Sequence, residues 1–325
     1  MAQELYNLIS DDNLRDELVR CLRNRTMEQK FLYLNDGAKN YYDVKNVDPF
    51  THSETSLSTE DFVEFGRSQV LSRLNPARSA TMISLGCGNS NLEGEIFRKL
   101  GNERKFHYIG VDSSQQMLGL STVNIGDVES VKSSTLIRAD FSTQEFRREL
   151  SVLTSNFTNL VFCFFSNTFG NLNPTDITDI LHNLLTEGEL IWMDVRIRKG
   201  KTAKDDIADS EMYYNYLQSE EWLRLLFNPL KQLGIPFESG KMGLTSKKEA
   251  ALNALKFQYS FHFSAKTVVD IRKEKIIILP GESIDLVQTT AYDPVCLAEF
   301  FSEHGFKLLH SQVRGLRGQF LFQKA

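Results

Sequence analysis

The stretch ISLGCGNSNLEGEIFRKLG, residues 83–101, contains a glycine turn between two kinds of apolar pattern. Apolar residues run straight into Gly86, Cys87 and Gly88, and apolar residues at helical spacing follow. A turn at the carboxyl end of a parallel strand is where open α/β sheets bind ligands. Gly86 and Gly88 let the backbone approach a ligand closely, because neither has a Cβ atom. The stretch therefore predicts a ligand-binding strand, turn and helix.

Strands and helices continue to alternate as far as residue 197. The predicted strands are ATMISLGCG (80–88), FHYIGVD (106–112), STLIRAD (134–140), NLVFCFFSN (159–167) and GELIWMDVRI (188–197). Each is followed by a helical pattern or, after the fifth, by a polar stretch. FKLLHSQV and GQFLFQK, joined by RGLR (314–317), predict a terminal hairpin. The expected fold class is therefore α/β, with a doubly wound parallel sheet and an antiparallel hairpin at its end.

The remaining segments predict a second, α+β module. Residues 2–24 have apolar residues at helical spacing, residues 29–58 lack periodicity, and residues 211–235 read as one long helix. Antiparallel strands are expected between residues 257 and 292. The expected domains are an N-terminal part of the substrate module (1–60), a core (61–198), an inserted substrate module (199–285) and the end of the core (286–325).

Composition narrows the class of protein. The chain has 325 residues, 41% of them hydrophobic, and a net charge of −5, with no basic tail that favours nucleic acid. The N-terminus resembles neither a signal peptide nor a membrane span, and the four cysteines are far apart, as in a reduced cytosolic protein. We expect a cytoplasmic protein, a monomer or weak homodimer, that binds a small molecule and neither nucleic acid, membrane nor metal.

Acidic residues follow the second and third strands. Asp112 ends one of them, where a carboxylate can accept hydrogen bonds from both hydroxyls of a ribose. Asp140 and Phe141 follow the next, where a carboxylate and a backbone N–H can pair with an adenine. A nucleoside ligand is therefore expected.

Two nucleoside ligands suit this order of residues. A dinucleotide site needs G-x-G-x-x-G, whereas this turn reads G-C-G-N-S-N and lacks the last glycine. Glu93 lies in the first helical turn, where its charge would repel a pyrophosphate. S-adenosyl-L-methionine has no phosphate and carries a sulfonium cation, so it tolerates the acid. The turn therefore favours S-adenosylmethionine over NAD.

The motifs also resemble known families. LGCGNSNLE, YIGVDSS, RADF and GELIWMDV, with the terminal hairpin, resemble the class I S-adenosylmethionine-dependent methyltransferases, which implies a Rossmann-like, seven-stranded sheet. SNTFGNLNP (166–174) resembles the G-[ST]-x-x-G-N turn of the histidine Nα-methyltransferase of ergothioneine biosynthesis. KFLYLNDGAKNYYDVKNVDPF (30–50) is similar to that family's F-Y-D-D-x-G segment and the Y-Y-P-T-R that follows it.

The second resemblance implies roles for individual residues. Tyr33 would close over the methionine end of the cofactor, and Asn171 would hold the carboxylate and amine of an amino-acid substrate. Tyr216 lies nearest that family's substrate-contacting Tyr, although simple packing is expected for two of the three tyrosines at 213, 214 and 216. The expected cofactor contacts are Tyr33, Gly86, Cys87, Gly88, Asp112, Ser113, Asp140, Phe141 and Ser166. The expected substrate contacts are Phe50, Asn171, Tyr216, Gln288 and Thr290.

Departures from the resemblance concern the substrate. Phe50 falls where that family has a substrate-facing Tyr, and Ser166 replaces a glycine. The family's Glu-x-Ser imidazole clamp falls in DLVQTTAY, on Val287 and Thr289 or, with a shift, on Gln288 and Thr290, so the acid is missing either way. We therefore expect methylation of the amine nitrogen of an amino-acid-like compound other than histidine. The alternatives are O-methylation of a small phenol or acid, and a non-catalytic S-adenosylmethionine-binding scaffold.

Overall fold

The computed structural model of the chain describes residues 2–47, 57–200, 202–271 and 274–325. In this part of the chain the strands are β1 (Ala2–Asn7), β2 (Ala80–Leu85), β3 (Phe106–Asp112), β4 (Val131–Arg138), β5 (Leu160–Phe164), β6 (Leu190–Ile197), β7 (Gly240–Glu249), β8 (Ala254–Phe263), β9 (Thr267–Ile271), β10 (Glu274–Ile278), β11 (Ser283–Tyr292), β12 (Phe306–Arg314) and β13 (Arg317–Lys324). The α-helices are α1 (Asp11–Arg23), α2 (Gly37–Val47), α3 (Thr59–Phe65), α4 (Asn91–Leu100), α5 (Gln115–Gly126), α6 (Gln144–Thr154), α7 (Pro174–Leu184), α8 (Ala203–Tyr216), α9 (Glu220–Gln232) and α10 (Pro294–Glu303). None of these helices is long and apolar enough to cross a membrane.

The chain divides into two compact units. Unit 1 consists of Met1–Ile9, Ser53–Ile197 and Tyr292–Ala325, and unit 2 consists of Ser10–His52 and Arg198–Ala291. In unit 1 the strands β1-β4-β3-β2-β5-β6 are neighbours in that order and all run parallel. β13 pairs antiparallel with β6, and β12 pairs antiparallel with β13. The predicted α/β fold class with a terminal hairpin is confirmed, and β1 adds one parallel strand to the seven expected.

The prediction of one helix over residues 2–24 is wrong in its first half. The chain forms strand β1 beside β4, and helix α1 begins only after Ser10, whose side chain accepts a hydrogen bond from the Asn13 backbone N–H. Asn13 completes a capping box, which fixes the start of the helix at this point. Leu5 is 53% exposed, whereas Leu14 is buried in α1. The helical spacing of Leu5 was therefore a coincidence, and the cap decided the boundary.

Aromatic side chains fill the core of unit 1 beneath the sheet. Trp192 on β6 stacks on Phe65 of α3 and meets Phe165 edge to face. Its buried indole N–H donates to Gln319 Oε1 on β13 at 3.1 Å, so the one polar atom of this ring is paired. This packing joins α3, β6 and the terminal hairpin in one core, which gives the strand ends a rigid base.

Unit 2 combines helices with an antiparallel sheet. Its strands follow the order β11-β8-β7, and β9 and β10 form a separate hairpin. The segment 29–58, expected to be irregular, contains α2 and a 3-10 helix at Gln29–Tyr33. The long helix expected over 211–235 is two helices, because the Ser219 side chain caps the start of α9. These elements satisfy their polar backbone through tertiary contacts that no local pattern reveals.

Candidate active site

The glycine turn joins β2 to α4 in unit 1. Gly86 and Gly88 have φ angles of +70° and +53°, in the left-handed region that favours glycine. The backbone N–H groups of Gly86 and Cys87 both donate to the Val111 carbonyl, which holds the turn against β3. A Cβ at Gly86 would lie 2.7 Å from Thr168 Cγ2, whereas a Cβ at Gly88 would meet no atom within 4 Å in the described part of the chain. Gly86 is therefore needed for packing, and Gly88 faces open space that a ligand can occupy.

Asp112 lies at the carboxyl end of β3 and is tied to this turn. Its carboxylate accepts hydrogen bonds from the backbone N–H of Gly88 at 2.9 Å and of Ser114 at 2.8 Å. Burial raises the pKa of the Asp112 carboxyl above its ordinary value, and hydrogen bonds from the Ser114 and Gly88 backbones oppose that shift. Ser113 beside it is 9% exposed. Two hydrogen bonds leave lone pairs on both carboxylate oxygens, so Asp112 can also accept from the hydroxyls of a ribose.

Asp140 and Phe141 follow β4. Asp140 Oδ1 accepts from the Ser142 backbone N–H at 2.9 Å and from the Ser142 hydroxyl. Phe141 is half-buried and meets Phe164 of β5 edge to face, with ring centroids 6.3 Å apart. The ring thus has a fixed orientation beside the strand ends, with part of its surface available to a flat ligand.

Cys87 and Glu93 are buried near the same turn. Glu93 in the first turn of α4 is 4% exposed, and its Oε1 accepts a 2.6 Å hydrogen bond from the Ser84 hydroxyl. Burial, Asp112 and Glu93 together raise the pKa of the Cys87 thiol well above its ordinary value. Cys87 therefore stays protonated near neutral pH, and its contribution to a ligand site comes from its backbone and bulk.

The turn after β5 has an unusual backbone. Ser166 and Asn167 have φ angles of +57° and +63°, so two successive side-chain-bearing residues are left-handed. The Ser166 N–H donates to Asp194 Oδ1 at 2.6 Å, and Arg317 of β13 forms an ion pair with the other oxygen of this carboxylate. Asp194 is fully buried; burial raises the pKa of its carboxyl, and the Arg317 guanidinium opposes that shift. Strain of this kind persists where surrounding contacts hold it, often at functional sites.

Asn171, predicted to hold the substrate, lies on the 3-10 helix Phe169–Asn171 that follows this turn. It is half-buried, and its Oδ1 accepts a hydrogen bond from Asn167 Nδ2 at 3.3 Å. Asn167, Asp194 and Arg317 were not predicted to take part in the site. Asparagine's tolerance of left-handed backbone was the one sequence signal that could have indicated Asn167.

The predicted site residues of unit 1 follow neighbouring parallel strands. Gly86, Cys87 and Gly88 follow β2, and Asp112 and Ser113 lie at the end of β3. Asp140 and Phe141 follow β4, and Ser166 and Asn171 follow β5. Because the carboxyl ends of parallel strands meet at one edge of a sheet, these residues share that edge.

In unit 2, Tyr33 packs on a buried apolar cluster, here called the unit 2 cluster. Its members are Leu32, Val44, Leu225, Leu226, Tyr259 and Val287. Tyr33 is half-buried, its hydroxyl oxygen accepts from Gln29 Nε2 at 3.2 Å, and its ring meets Tyr41 edge to face. The phenol therefore has one apolar side on the cluster and one polar end with an ordered neighbour.

Tyr216 lies in the interior of unit 2. It is 4% exposed, its ring centroid is 4.5 Å from that of Trp222, and Tyr213 beside it is equally buried. Tyr214 is 55% exposed, so two of the three tyrosines pack, as expected. Contact of Tyr216 with a substrate stays a prediction, and Phe50 lies outside the described residues.

The register of β11 separates the two sets of residues considered for the imidazole clamp. Val287 pairs with Tyr259 and Thr289 pairs with Phe257 across the sheet, so Val287 and Thr289 share the face of the unit 2 cluster. Gln288 and Thr290 alternate with them and point to the other face. Gln288 and Thr290, expected to contact substrate, are thus not brought together with Tyr33.

A family model described as "Histidine-specific methyltransferase, SAM-dependent" matches residues 14–314. The chain belongs to this family. It has the class I fold and is an S-adenosylmethionine-dependent methyltransferase. The open space at Gly88 and the remaining lone pairs of Asp112 fit this cofactor, which supplies an activated methyl group when bound.

Solved structures resemble the chain at low identity. One is the 1,6-didemethyltoxoflavin-N1-methyltransferase of Burkholderia thailandensis, with 11% identity and a TM-score of 0.44 over 95% of this chain and 90% of that one. Another is a SAM-dependent methyltransferase of Methanosarcina mazei, with 11% identity and a TM-score of 0.43 over 79% and 97% of the two chains. Such values support no conclusion about substrate. No curated protein sequence matches the chain.

Proposed function

We propose that this methyltransferase transfers a methyl group to the amine nitrogen of a small, amino-acid-like compound whose side group is apolar. The observation that carries the proposal is the position of Val287. It is 9% exposed, lies in the unit 2 cluster on the same sheet face as Thr289, and stands where the related family has the acid of its imidazole clamp. An apolar wall cannot pair with an imidazole N–H, so histidine would leave that donor unpaired.

The proposed cofactor contacts are those expected from the sequence. They are Tyr33, Gly86, Cys87, Gly88, Asp112, Ser113, Asp140, Phe141 and Ser166. Asp112 is proposed to accept from the ribose hydroxyls, and its hydrogen bond from the Gly88 N–H supports this role by aligning the carboxylate with the glycine turn. Phe141 is proposed to lie along the adenine.

The proposed substrate contacts change at β11. Asn171 is proposed to hold the polar head of the substrate, and Val287 and Thr289 its side group. The strand register favours this pair over Gln288 and Thr290, because only Val287 and Thr289 share a face with the unit 2 cluster.

The chain's part in the reaction is positioning. Methyl transfer is an in-line displacement, so the nucleophile must be a neutral amine whose lone pair points at the methyl carbon from about 3 Å. Aligned contacts of this kind supply much of the rate without a strong general base. A head group held by Asn171 and a side group packed on apolar residues would fix the amine in this way.

The test is to identify the methylated product. The purified protein is incubated with S-adenosylmethionine carrying a deuterated methyl group and with amino acids and aryl amines in separate reactions. Tandem mass spectrometry then locates the label. We expect a label on nitrogen in a compound with an apolar side group. A label on oxygen would favour O-methylation, and tight cofactor binding with no transfer to any compound would favour a non-catalytic scaffold.

A further inference from the structure

The side-chain amide of Asn167 has a fixed orientation. Its Oδ1 accepts a hydrogen bond from the Arg196 backbone N–H at 2.9 Å. A backbone N–H can only donate, so the oxygen end of the amide must face Arg196. Asn167 is 4% exposed, which leaves little room for another arrangement.

This orientation passes to Asn171. Asn167 Nδ2 can only donate, and it donates to Asn171 Oδ1 at 3.3 Å. The amide oxygen of Asn171 therefore faces Asn167, and the Nδ2 group must point the other way. In the described part of the chain no acceptor pairs with Asn171 Nδ2, although Asn171 is half-buried. Asn171 thus presents two N–H donors, with its acceptor end turned inward.

The surrounding turn holds this arrangement at some expense in backbone strain. Ser166 and Asn167 are both left-handed, and Asp194 anchors the Ser166 N–H. A Cβ at Gly170 would lie 2.4 Å from Asn167 Oδ1, so a glycine is needed to admit the amide. Several independent contacts therefore converge on the placement of one side chain, which is expected when that placement serves a function.

We propose that Asn167 is a positioning residue that turns the amide donors of Asn171 toward a carboxylate, and that the substrate therefore carries a carboxylate beside its amine. The substrate class is then an α-amino acid with an apolar side group, and simple aryl amines are poor substrates. This inference rests on the proposed function. Charge-assisted hydrogen bonds from an amide to a carboxylate are among the stronger ones, so they discriminate well against a compound that lacks the acceptor.

The test compares matched pairs of compounds. Apolar and aromatic L-amino acids are assayed beside the amines that lack their carboxylate, such as L-phenylalanine beside phenethylamine, with radiolabelled S-adenosylmethionine. We expect kcat/KM of the wild-type protein to favour the amino acid by about 10- to 100-fold. The variant Asn167→Asp keeps an acceptor for the Arg196 N–H and tolerates the left-handed backbone. Its second oxygen repels Asn171 Oδ1 and attracts Nδ2, so the Asn171 amide turns over.

In Asn167→Asp we expect the preference for the amino acid to fall at least about tenfold, since Asn171 then presents an acceptor. The matched control is Asn173→Asp, which adds the same charge close by. Asn173 caps α7 through its side-chain oxygen, and aspartate caps equally well, so the preference should not change. Asn171→Asp is the second variant, in case Asn167→Asp fails to fold, because it presents a carboxylate directly and should also lose the preference.

The possible results separate the two proposals. A wild-type protein that methylates the amine as well as the amino acid overturns the inference and leaves the proposed function standing. So does an unchanged preference in folded Asn167→Asp or Asn171→Asp. A wild-type protein that methylates neither member of any pair removes the proposed function, and the inference with it.

Discussion

At the scale of single residues, Asp112 has two tasks. Its carboxylate holds the glycine turn through the Gly88 and Ser114 N–H groups, and it is proposed to accept the ribose hydroxyls of the cofactor. The first task uses backbone donors that water or a neighbouring group can replace only in part. The second needs the negative charge, because a carboxylate accepts hydroxyl hydrogen bonds more strongly than a neutral amide does.

Substitution of Asp112 should therefore weaken cofactor binding more than folding. We expect Asp112→Ala to raise the dissociation constant of S-adenosylhomocysteine by about 1.5–3 kcal/mol, measured by calorimetry, in a protein that still unfolds cooperatively. Asp112→Asn is the control, because it retains an acceptor for the turn and loses only the charge. Collapse of the melting temperature in both variants would instead make Asp112 a structural residue.

The raised pKa of Asp112 predicts a pH dependence with opposite signs for stability and binding. Because burial raises this pKa in the folded protein, its contribution to stability is present below the ordinary value and is lost as the pH rises through the folded value. Ribose hydroxyls favour the ionised form, so cofactor affinity should fall as the pH is lowered through the same range. Calorimetry against pH checks this, and Asp112→Asn should give a flat profile.

At the scale of elements, the register of β11 decides which residues form the apolar wall. A shift of one residue moves every side chain to the other face of the sheet. Sequence comparison alone left the pairs Val287 with Thr289 and Gln288 with Thr290 equally open. The pairing of Val287 with Tyr259 supports the first pair, because it places Val287 in the unit 2 cluster.

Two adjacent substitutions test this register. Val287→Glu places a carboxylate on the face of the unit 2 cluster, where it can pair with an imidazole N–H. We expect it to raise kcat/KM for histidine at least about tenfold, the scale of one charge-assisted hydrogen bond, while lowering the melting temperature. Gln288→Glu puts the same group on the opposite face and should change neither quantity. Histidine activity gained by Gln288→Glu instead would mean that the other pair faces the substrate.

The terminal hairpin has a comparable internal contrast. Arg317 on β13 pairs with fully buried Asp194, whereas Arg314 on β12 pairs with Asp61 and is itself 55% exposed. Removing the partner of a buried charge costs about 3–5 kcal/mol, and loss of an exposed pair costs about 0–1 kcal/mol. We expect Arg317→Met to lower the free energy of unfolding in urea by the larger amount and Arg314→Met by the smaller. Equal losses would show that Asp194 does not depend on Arg317.

At the scale of the whole molecule, the sequence predicts the repeated pattern well and the long-range contacts poorly. The strand and helix alternation between residues 80 and 197 and the terminal hairpin are local patterns, and both are confirmed. The start of α1 was mispredicted because Leu5 happened to lie at helical spacing. The contact of Asp194 with Arg317 could not be predicted, because it depends on the pairing of β13 with β6.

The family to which the chain belongs is described as histidine-specific, yet Val287 stands where the related clamp has its acid. Membership of the family establishes the fold and the methyl donor, since these depend on the glycine turn and the strand ends. Substrate choice depends on few side chains, and one changed side chain is enough to alter it. The proposed substrate therefore follows from the departure at β11.

The most direct test measures kcat/KM for histidine beside the apolar and aromatic L-amino acids, with radiolabelled S-adenosylmethionine and the wild-type protein. We expect negligible transfer to histidine and measurable transfer to at least one amino acid with an apolar side group. Efficient methylation of histidine, with little or none of the apolar amino acids, would contradict the proposed function and return the chain to the specificity of its family's description.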